Sequence, residues 1–235
     1  MIKAIILAGG RGLRLRSILK DVPKPMAPIA GKPFLEYLIL QLVKWNVKDI
    51  VLSVGYKKEV IKAYFGGGRR WNVKIIYSEE DNPLGTGGAL KKSVKLIENK
   101  EFLVMNGDSF LDLDFNQIID FHKKKKALAS VGLACVNDIS RFGKVEINSR
   151  NEVVRFIEKG SGGKGTINGG VYVFDREIIN YISPGKVSLE KEVLPRLIKW
   201  GLYGIVTQGF FIDIGIPRDF LNLSEEPGKL LNAII

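Results

Sequence analysis

The chain has almost no cysteine. Cys135 is the only one among 235 residues, so no internal disulfide can form, which fits a reducing compartment. Stability must then come from a buried core, which a chain of this length can supply. Cys135 sits inside the apolar run Ala129–Val136 and reads as a small core residue rather than a nucleophile. Long hydrophobic runs are also missing. No stretch approaches the roughly 18–20 apolar residues that cross a bilayer. Ile2–Ala8 is short and runs straight into glycines and arginines instead of a cleavage site. A cytoplasmic protein with no membrane partner is expected. Acidic residues are the scarcer charge: 25 against 36 lysines and arginines, for a formal net charge of +11. That excess points to an anionic partner, whether nucleic acid, membrane or phosphorylated small molecules. The densest run, Lys123–Lys126, follows the helical segment Asn116–His122 without interleaved aromatics and reads as a solvated helix end. Neither a nucleic-acid-binding module nor an aromatic-rich basic surface is legible, so no nucleic-acid partner is expected.

Linkers, repeats and low-complexity tracts are absent, which favours one domain over residues 1–235. Its first half alternates regularly. Short apolar runs at Ile2–Leu7, Ile50–Val54, Val73–Tyr77 and Phe102–Met105 are separated by segments of helical spacing at Phe34–Trp45, Glu59–Phe65 and Ala89–Ile97. Continuous apolar strands between amphipathic helices predict a Rossmann-like α/β fold, a mostly parallel sheet flanked by helices. A helix at Asn116–Lys125 and a strand at Ala129–Val136 follow. The second half is richer in β-structure. Val145–Ile147 and Val153–Ile157 flank a short polar turn and predict a hairpin; Gly160–Gly165 reads as a mobile loop, and Gly170–Phe174 as a strand. Ser188 can cap a helix over Leu189–Trp200 that Gly201 ends. Tyr203–Thr207 and Phe210–Ile214 are the last strand candidates, and Pro217 can start a helix. Residues 1–136 are expected to form one half of the domain and 137–235 a smaller, β-rich lobe.

Chemistry concentrates at a few strand ends. Leu7-Ala8-Gly9-Gly10-Arg11-Gly12-Leu13-Arg14-Leu15 opens a strand into a glycine-rich loop whose backbone N–H groups can approach phosphate oxygens. The loop lacks the third glycine of the dinucleotide fingerprint and does not match the P-loop spacing. It offers instead Arg14 and, after it, Lys24 held rigidly in Pro23-Lys24-Pro25. Asn106-Gly107-Asp108 follows the strand Phe102–Met105, and Asp213-Ile214-Gly215 repeats the pattern of an aspartate at a strand end. Ligands of open parallel sheets collect at such ends, and two carboxylates converging there can hold Mg²⁺ against triphosphate oxygens. Glu79–Gly88 is a polar loop entering a helix; Glu80, Pro83, Gly85 and Thr86 lie in it, and a carboxylate there suits the N–H donors of guanine. Glu158, Lys159, Asn168, Gly169 and Gly170 bracket the glycine-rich loop and suit sugar hydroxyls and a phosphate. Each segment alone also reads as an ordinary turn or solvated loop.

Together and in this order, these segments resemble the sugar-1-phosphate nucleotidylyltransferase family over nearly the whole chain. Leu84-Gly85-Thr86-Gly87-Gly88 looks like its base-binding loop, and the Asp108 and Asp213 segments like its two metal-binding segments. Phe156–Lys159, Asn168–Tyr172 and Ser188–Glu192 resemble its sugar-side motifs. Arg14–Ser17, Asp21–Pro28, Gly31–Tyr37 and Glu80–Gly87 look most like the guanylyltransferases acting on D-glycero-α-D-manno-heptose 1-phosphate, with mannose-1-phosphate guanylyltransferases similar. The resemblance implies GTP and a sugar 1-phosphate as substrates and Mg²⁺ as cofactor, and it makes residues 1–136 nucleotide-binding and 137–235 sugar-binding. It makes Arg14, Lys24 and Asp108 catalytic, places Leu7–Gly12, Glu80, Pro83, Gly85, Thr86 and Gly107 on the nucleotide, and puts the metal on Asp108 and Asp213. Leu13 departs from it, standing where the family usually has threonine. A binding protein without turnover is therefore a rival reading, a uridylyl- or thymidylyltransferase is the runner-up among enzymes, and an acyltransferase extension of the kind some relatives carry is not expected. Monomer and homodimer remain equally open.

Overall fold

The computed structural model describes residues 2–15, 18–19, 22–158 and 162–235, with Leu13 described in its backbone alone. The chain begins with β1 (Lys3–Leu7), the hairpin strands β2 (Pro28–Ile29) and β3 (Lys32–Pro33), and α1 (Phe34–Lys44). Next come β4 (Asp49–Val54), α2 (Lys58–Phe65), β5 (Lys74–Glu79), α3 (Gly85–Ser93), β6 (Glu101–Asn106), β7 (Ser109–Leu111) and α4 (Phe115–Lys125). The second half holds β8 (Ala129–Val136), β9 (Lys144–Ile147), β10 (Val153–Ile157), β11 (Gly165–Asp175), α5 (Leu194–Leu197), β12 (Leu202–Thr207), β13 (Phe211–Asp213), α6 (Pro217–Glu225) and α7 (Gly228–Ala233).

A central sheet runs β5-β4-β1-β6-β11-β8-β12. β4 and β6 flank β1 in parallel, and β5 continues parallel to β4. β11 is antiparallel to both β6 and β8, while β12 lies parallel to β8. The near end of β11 also meets β9 at Ile167, which leads the β9–β10 hairpin off the main sheet. β1 shows why the strands are continuously apolar: alternate residues point to opposite faces, and both faces are covered. Ala4 and Ile6 join the core beneath α1, whose Phe34, Leu35, Leu38, Ile39 and Leu42 recur at helical spacing. Ile5 joins the opposite core with Leu90 and Val94 from the α3 side and Phe102, Val104, Tyr172 and Phe174 from the sheet. Asp114 caps α4, accepting from the Asn116 and Gln117 N–H groups.

The predicted alternation of strands and helices is present, and several segments differ from expectation, the β2–β3 hairpin among them. The stretch from Gly165 is strand rather than loop: β11 extends five residues ahead of Gly170 and pairs with β8 on both sides of a bulge between Asn168 and Val171, meeting β9 before it and β6 after it. Leu189–Trp200 is not one regular helix. Ser188 caps it as expected, its hydroxyl accepting from the Lys191 N–H, but a wide π turn over Leu189–Val193 precedes α5, and a 3₁₀ turn follows. Pro195 explains the break, since it has no N–H to donate back to the preceding turn. β7 was not foreseen; it pairs antiparallel with β13 in a separate two-stranded sheet. α7 was also unanticipated. No helix of the described residues is long and apolar enough to cross a membrane.

The interior holds the chain's one histidine. His122 on α4 is buried, with Nδ1 3.0 Å from the Ser130 hydroxyl of β8, and burial lowers its pKa to about 4 from an ordinary 6.5. The folded chain then resists the proton that the unfolded chain accepts. Stability is unaffected above about pH 6.5 and is lost as pH falls from there towards 4, by about 3 kcal/mol in all. Urea unfolding of the wild type and His122→Gln between pH 7.5 and 4.5 checks this: the wild type should lose stability more steeply over that range.

Candidate active site

Three strand ends meet at one edge of the parallel sheet. β1 opens into Ala8–Arg11, β5 into Glu80, and β6 into Gly107 and Asp108. Between them lies a cavity of about 290 Å³. Its floor is Leu7, Ala8, Gly9, Gly10 and Arg11. Glu80, Pro83, Gly85, Thr86 and Ala89 form one wall, and Lys24, Pro25, Asn106, Gly107 and Asp108 the other. Lys186 and Glu190 reach in from the second half of the chain.

At the Asp108 wall, charge is tightly organised. The Lys24 ammonium donates to Asp108 Oδ2 at 2.6 Å and lies 3.7 Å from Asp213 Oδ1. Asp213 arrives through the β7–β13 pairing, which sets it opposite Ser109, next to Asp108 in sequence, while the Ile214 N–H donates to the Asp108 carbonyl. Lys24 is only 9% exposed and sits in a 3₁₀ turn between two prolines. Gly12 makes room for it: its φ is +57°, and a Cβ there would fall 2.8 Å from Lys24 Cβ. Burial and the adjacent Asp108 charge push the Asp213 carboxyl above the ordinary aspartate range, against the pull of Lys24, the Gly215 N–H and Arg14. Arg14 itself is exposed on the 3₁₀ turn Leu13–Leu15, anchored by buried Leu15. Asn106 Oδ1 and Ser109 Oγ are buried beside this corner without a protein partner.

Glu80 is buried in the opposite wall. Its Oε1 accepts from the Ser53 hydroxyl at 3.3 Å and its Oε2 from the Leu84 N–H at 2.9 Å. Burial raises its carboxyl above the ordinary glutamate range, with the Leu84 N–H, the Ser53 hydroxyl and Lys92 acting the other way. Glu190 bridges the two walls: Thr86 Oγ1 donates to its Oε2 at 2.6 Å, and Asn106 Nδ2 approaches its Oε1 at 3.5 Å.

Twelve of the residues singled out from the sequence therefore line one cavity: Leu7 through Arg11, Lys24, Glu80, Pro83, Gly85, Thr86, Gly107 and Asp108. Asp213 joins them through Lys24, and Gly12 packs behind Lys24. Glu158 is exposed at the end of β10 and does not line the cavity; nor do Asn168, Gly169 and Gly170. Asn168 spends its amide on the β11 bulge, donating to Tyr172 Oη at 2.8 Å and accepting from the Gly170 N–H at 2.9 Å. Lys159 lies outside the described residues. Sequence reasoning missed Pro25, Ala89, Asn106, Lys186 and Glu190. All but Ala89 and Lys186 belong to segments already noted for their motifs.

Comparison with known proteins fits this geometry. The profile of the family described as Nucleotidyl transferase matches residues 3–228. The chain belongs to that family. Among its members, the D-glycero-alpha-D-manno-heptose 1-phosphate guanylyltransferase of Campylobacter jejuni is 41% identical, over 93% of this chain and 96% of its own. The enzyme of the same description from Aneurinibacillus thermoaerophilus is 40% identical, over 95% and 97%. A mannose-1-phosphate guanylyltransferase of Mycobacterium tuberculosis is 37% identical, over 96% of this chain but 64% of its own. The crystal structure of HddC from Yersinia pseudotuberculosis complexed with GMP-PN superimposes with a TM-score of 0.85 at 38% identity, covering 96% of this chain and 99% of that one.

In this nucleotidyl transferase the raised Glu80 pKa has a measurable consequence. A carboxyl whose folded pKa lies above its unfolded value adds stability below the unfolded pKa, and that stability is lost as pH rises through the folded pKa. Glu80→Gln cannot ionise, and it keeps both bonds if its amide donates to Ser53. The variant should unfold at higher urea than the wild type at pH 7, and the difference should shrink as pH falls below the ordinary carboxylate range.

Proposed function

We propose that the chain transfers the guanylyl group of GTP to D-glycero-α-D-manno-heptose 1-phosphate, releasing pyrophosphate, with Mg²⁺ as cofactor. The observation that carries this is the cavity itself: a buried carboxylate suited to a base in one wall, a Lys24–Asp108–Asp213 cluster at the other, and a glycine-rich floor between. The relatives that match over nearly their whole length support the choice of nucleotide and sugar.

The donor set suits the cation. Among the described residues, no group of three or more His, Cys, Asp or Glu side chains could hold an ion by itself. Mg²⁺ does not require one, because it commonly takes one or two carboxylates and completes its shell with phosphate oxygens and water. Asp108 and Asp213 offer oxygen only, and both stand within 4 Å of the Lys24 ammonium, which is their compensating charge. When bound there, Mg²⁺ supplies charge neutralisation for the phosphates.

The chain's own groups do the rest. A sugar 1-phosphate is already anionic at neutral pH, so no general base is needed; the requirement is alignment for in-line attack at the α-phosphorus. Backbone N–H groups of Ala8–Gly12 and the Arg14 guanidinium hold the triphosphate tail and the departing pyrophosphate. Lys24 sits on the α-phosphate and the attacking phosphate, exchanging part of its contact with Asp108. Glu80 accepts from the guanine N1–H and 2-amino group through the lone pairs that Ser53 and Leu84 leave free. Lys159 holds the sugar phosphate while Glu158 and Asn168 engage hydroxyls, Asn168 by giving up a bond within its bulge.

Pyrophosphate release with Mg²⁺, crossing four nucleoside triphosphates with heptose, mannose and glucose 1-phosphates, tests the reading. Turnover confined to GTP and the manno-heptose substrate is expected. Another productive pair would overturn the specificity, and no turnover with any pair would favour a binding protein, with Leu13→Thr as the first restoration. Asp108→Ala should lower turnover by about 10²-fold or more. Near-normal rates in that variant, with its circular dichroism unchanged, would remove the metal assignment.

A further inference from the structure

Lys186 comes from a stretch with no phosphate-binding or acidic signature, yet it lines the cavity. Main-chain bonds fix its loop there. The Val187 N–H donates to the Leu84 carbonyl at 2.8 Å, and the Gly87 N–H donates back to the Val187 carbonyl at 2.9 Å. Gly85 permits this approach: its φ is +69°, and a Cβ there would lie 2.4 Å from the Val187 carbonyl oxygen. Leu84 also donates its N–H to Glu80 Oε2. One residue thus ties to a single wall both the buried acceptor Glu80 and the loop carrying Lys186. Among the described residues, Lys186 is exposed and makes no hydrogen bond or ion pair within the chain.

We propose that Lys186 is a base-reading residue, its ammonium donating to O6 of guanine while Glu80 accepts from N1–H and the 2-amino group. The proposal rests on the guanylyl reading above. Guanine presents an acceptor at C6 next to two donors, and a cation beside a carboxylate matches that order. Adenine presents a donor at C6 and an acceptor at N1, so it meets the wrong partner at both places. The anchor of the loop argues for the base rather than the phosphates: it is held by Leu84 and Gly87, whereas Arg11 belongs to the glycine-rich floor and Lys24 packs against Gly12.

The test uses the full chain, with Lys186→Ala and Lys186→Arg, and three nucleotides: GTP, ITP and 2-aminopurine riboside triphosphate. Affinity is measured by calorimetry without sugar, and kcat/KM by pyrophosphate release. Lys186→Ala should lose about tenfold on GTP and ITP, which keep O6, with little change on the 2-aminopurine nucleotide, which lacks it. Lys186→Arg should recover most of the loss. An equal loss on all three nucleotides would make Lys186 a phosphate contact, and no loss on any would make it a solvated lysine; either overturns the proposal. Wild-type protein that binds ATP as tightly as GTP would defeat the guanylyl reading itself. A clear GTP preference left intact by Lys186→Ala would defeat only the assignment of Lys186.

Discussion

Two partly exposed carboxylates meet one buried ammonium at the end of β6, and the surrounding structure is arranged to hold them there. Lys24 alone stands within ion-pair distance of both Asp108 and Asp213 among the described residues, which leaves the trio one negative charge in excess. Withdrawing charged groups from water is costly unless each finds a partner. The raised Asp213 carboxyl records the part of that cost which Lys24 does not offset. A corner in this state is electrostatically suited to a further cation. Its parts come from three distant segments: the Pro23–Pro25 turn, the end of β6, and β13.

The small β7–β13 pairing is therefore more consequential than its size. It lies outside the main sheet, and it carries Asp213 roughly a hundred residues along the chain to meet Asp108. A comparable bridge closes the other side of the cavity. Loop 185–187 docks on Leu84–Gly88 by main-chain bonds, and Glu190 reaches both Thr86 and Asn106. The cavity is consequently not the product of residues 1–136 alone. Side chains from beyond position 180 complete two of its walls, so packing in the second half bears directly on the geometry of the cavity.

Legibility followed the range of the physics involved. β1, β4, β5 and β6 announce themselves as short apolar runs because strands buried on both faces need no polar alternation. α1 and α4 show helical spacing for the complementary reason. The glycine-rich floor, Lys24 and Asp108 stand next to strand ends in sequence, so their grouping could be read from one segment at a time. The failures are equally physical. The β11 bulge depends on the register of β11 against β8, the break before α5 on how the turns around Pro195 settle, and β7 on a partner strand far along the chain. Asn168 and Gly170 also stand in that bulge, where Asn168 donates to Tyr172 and accepts from the Gly170 N–H, contacts that no local pattern shows.

By itself the sequence determined the alternation of buried strands and amphipathic helices, the glycine-rich turn after β1, and the identity of the charged groups at strand ends. These are local properties, set by side-chain volume, backbone freedom and charge over a few residues. Only the tertiary structure decided which charges meet. Asp213 stands beside Asp108 because β13 pairs with β7, and Lys186 lines the cavity because Val187 donates its N–H to the Leu84 carbonyl and accepts from the Gly87 N–H. Such placements depend on hydrogen bonds between segments about a hundred residues apart, whose register no local pattern encodes.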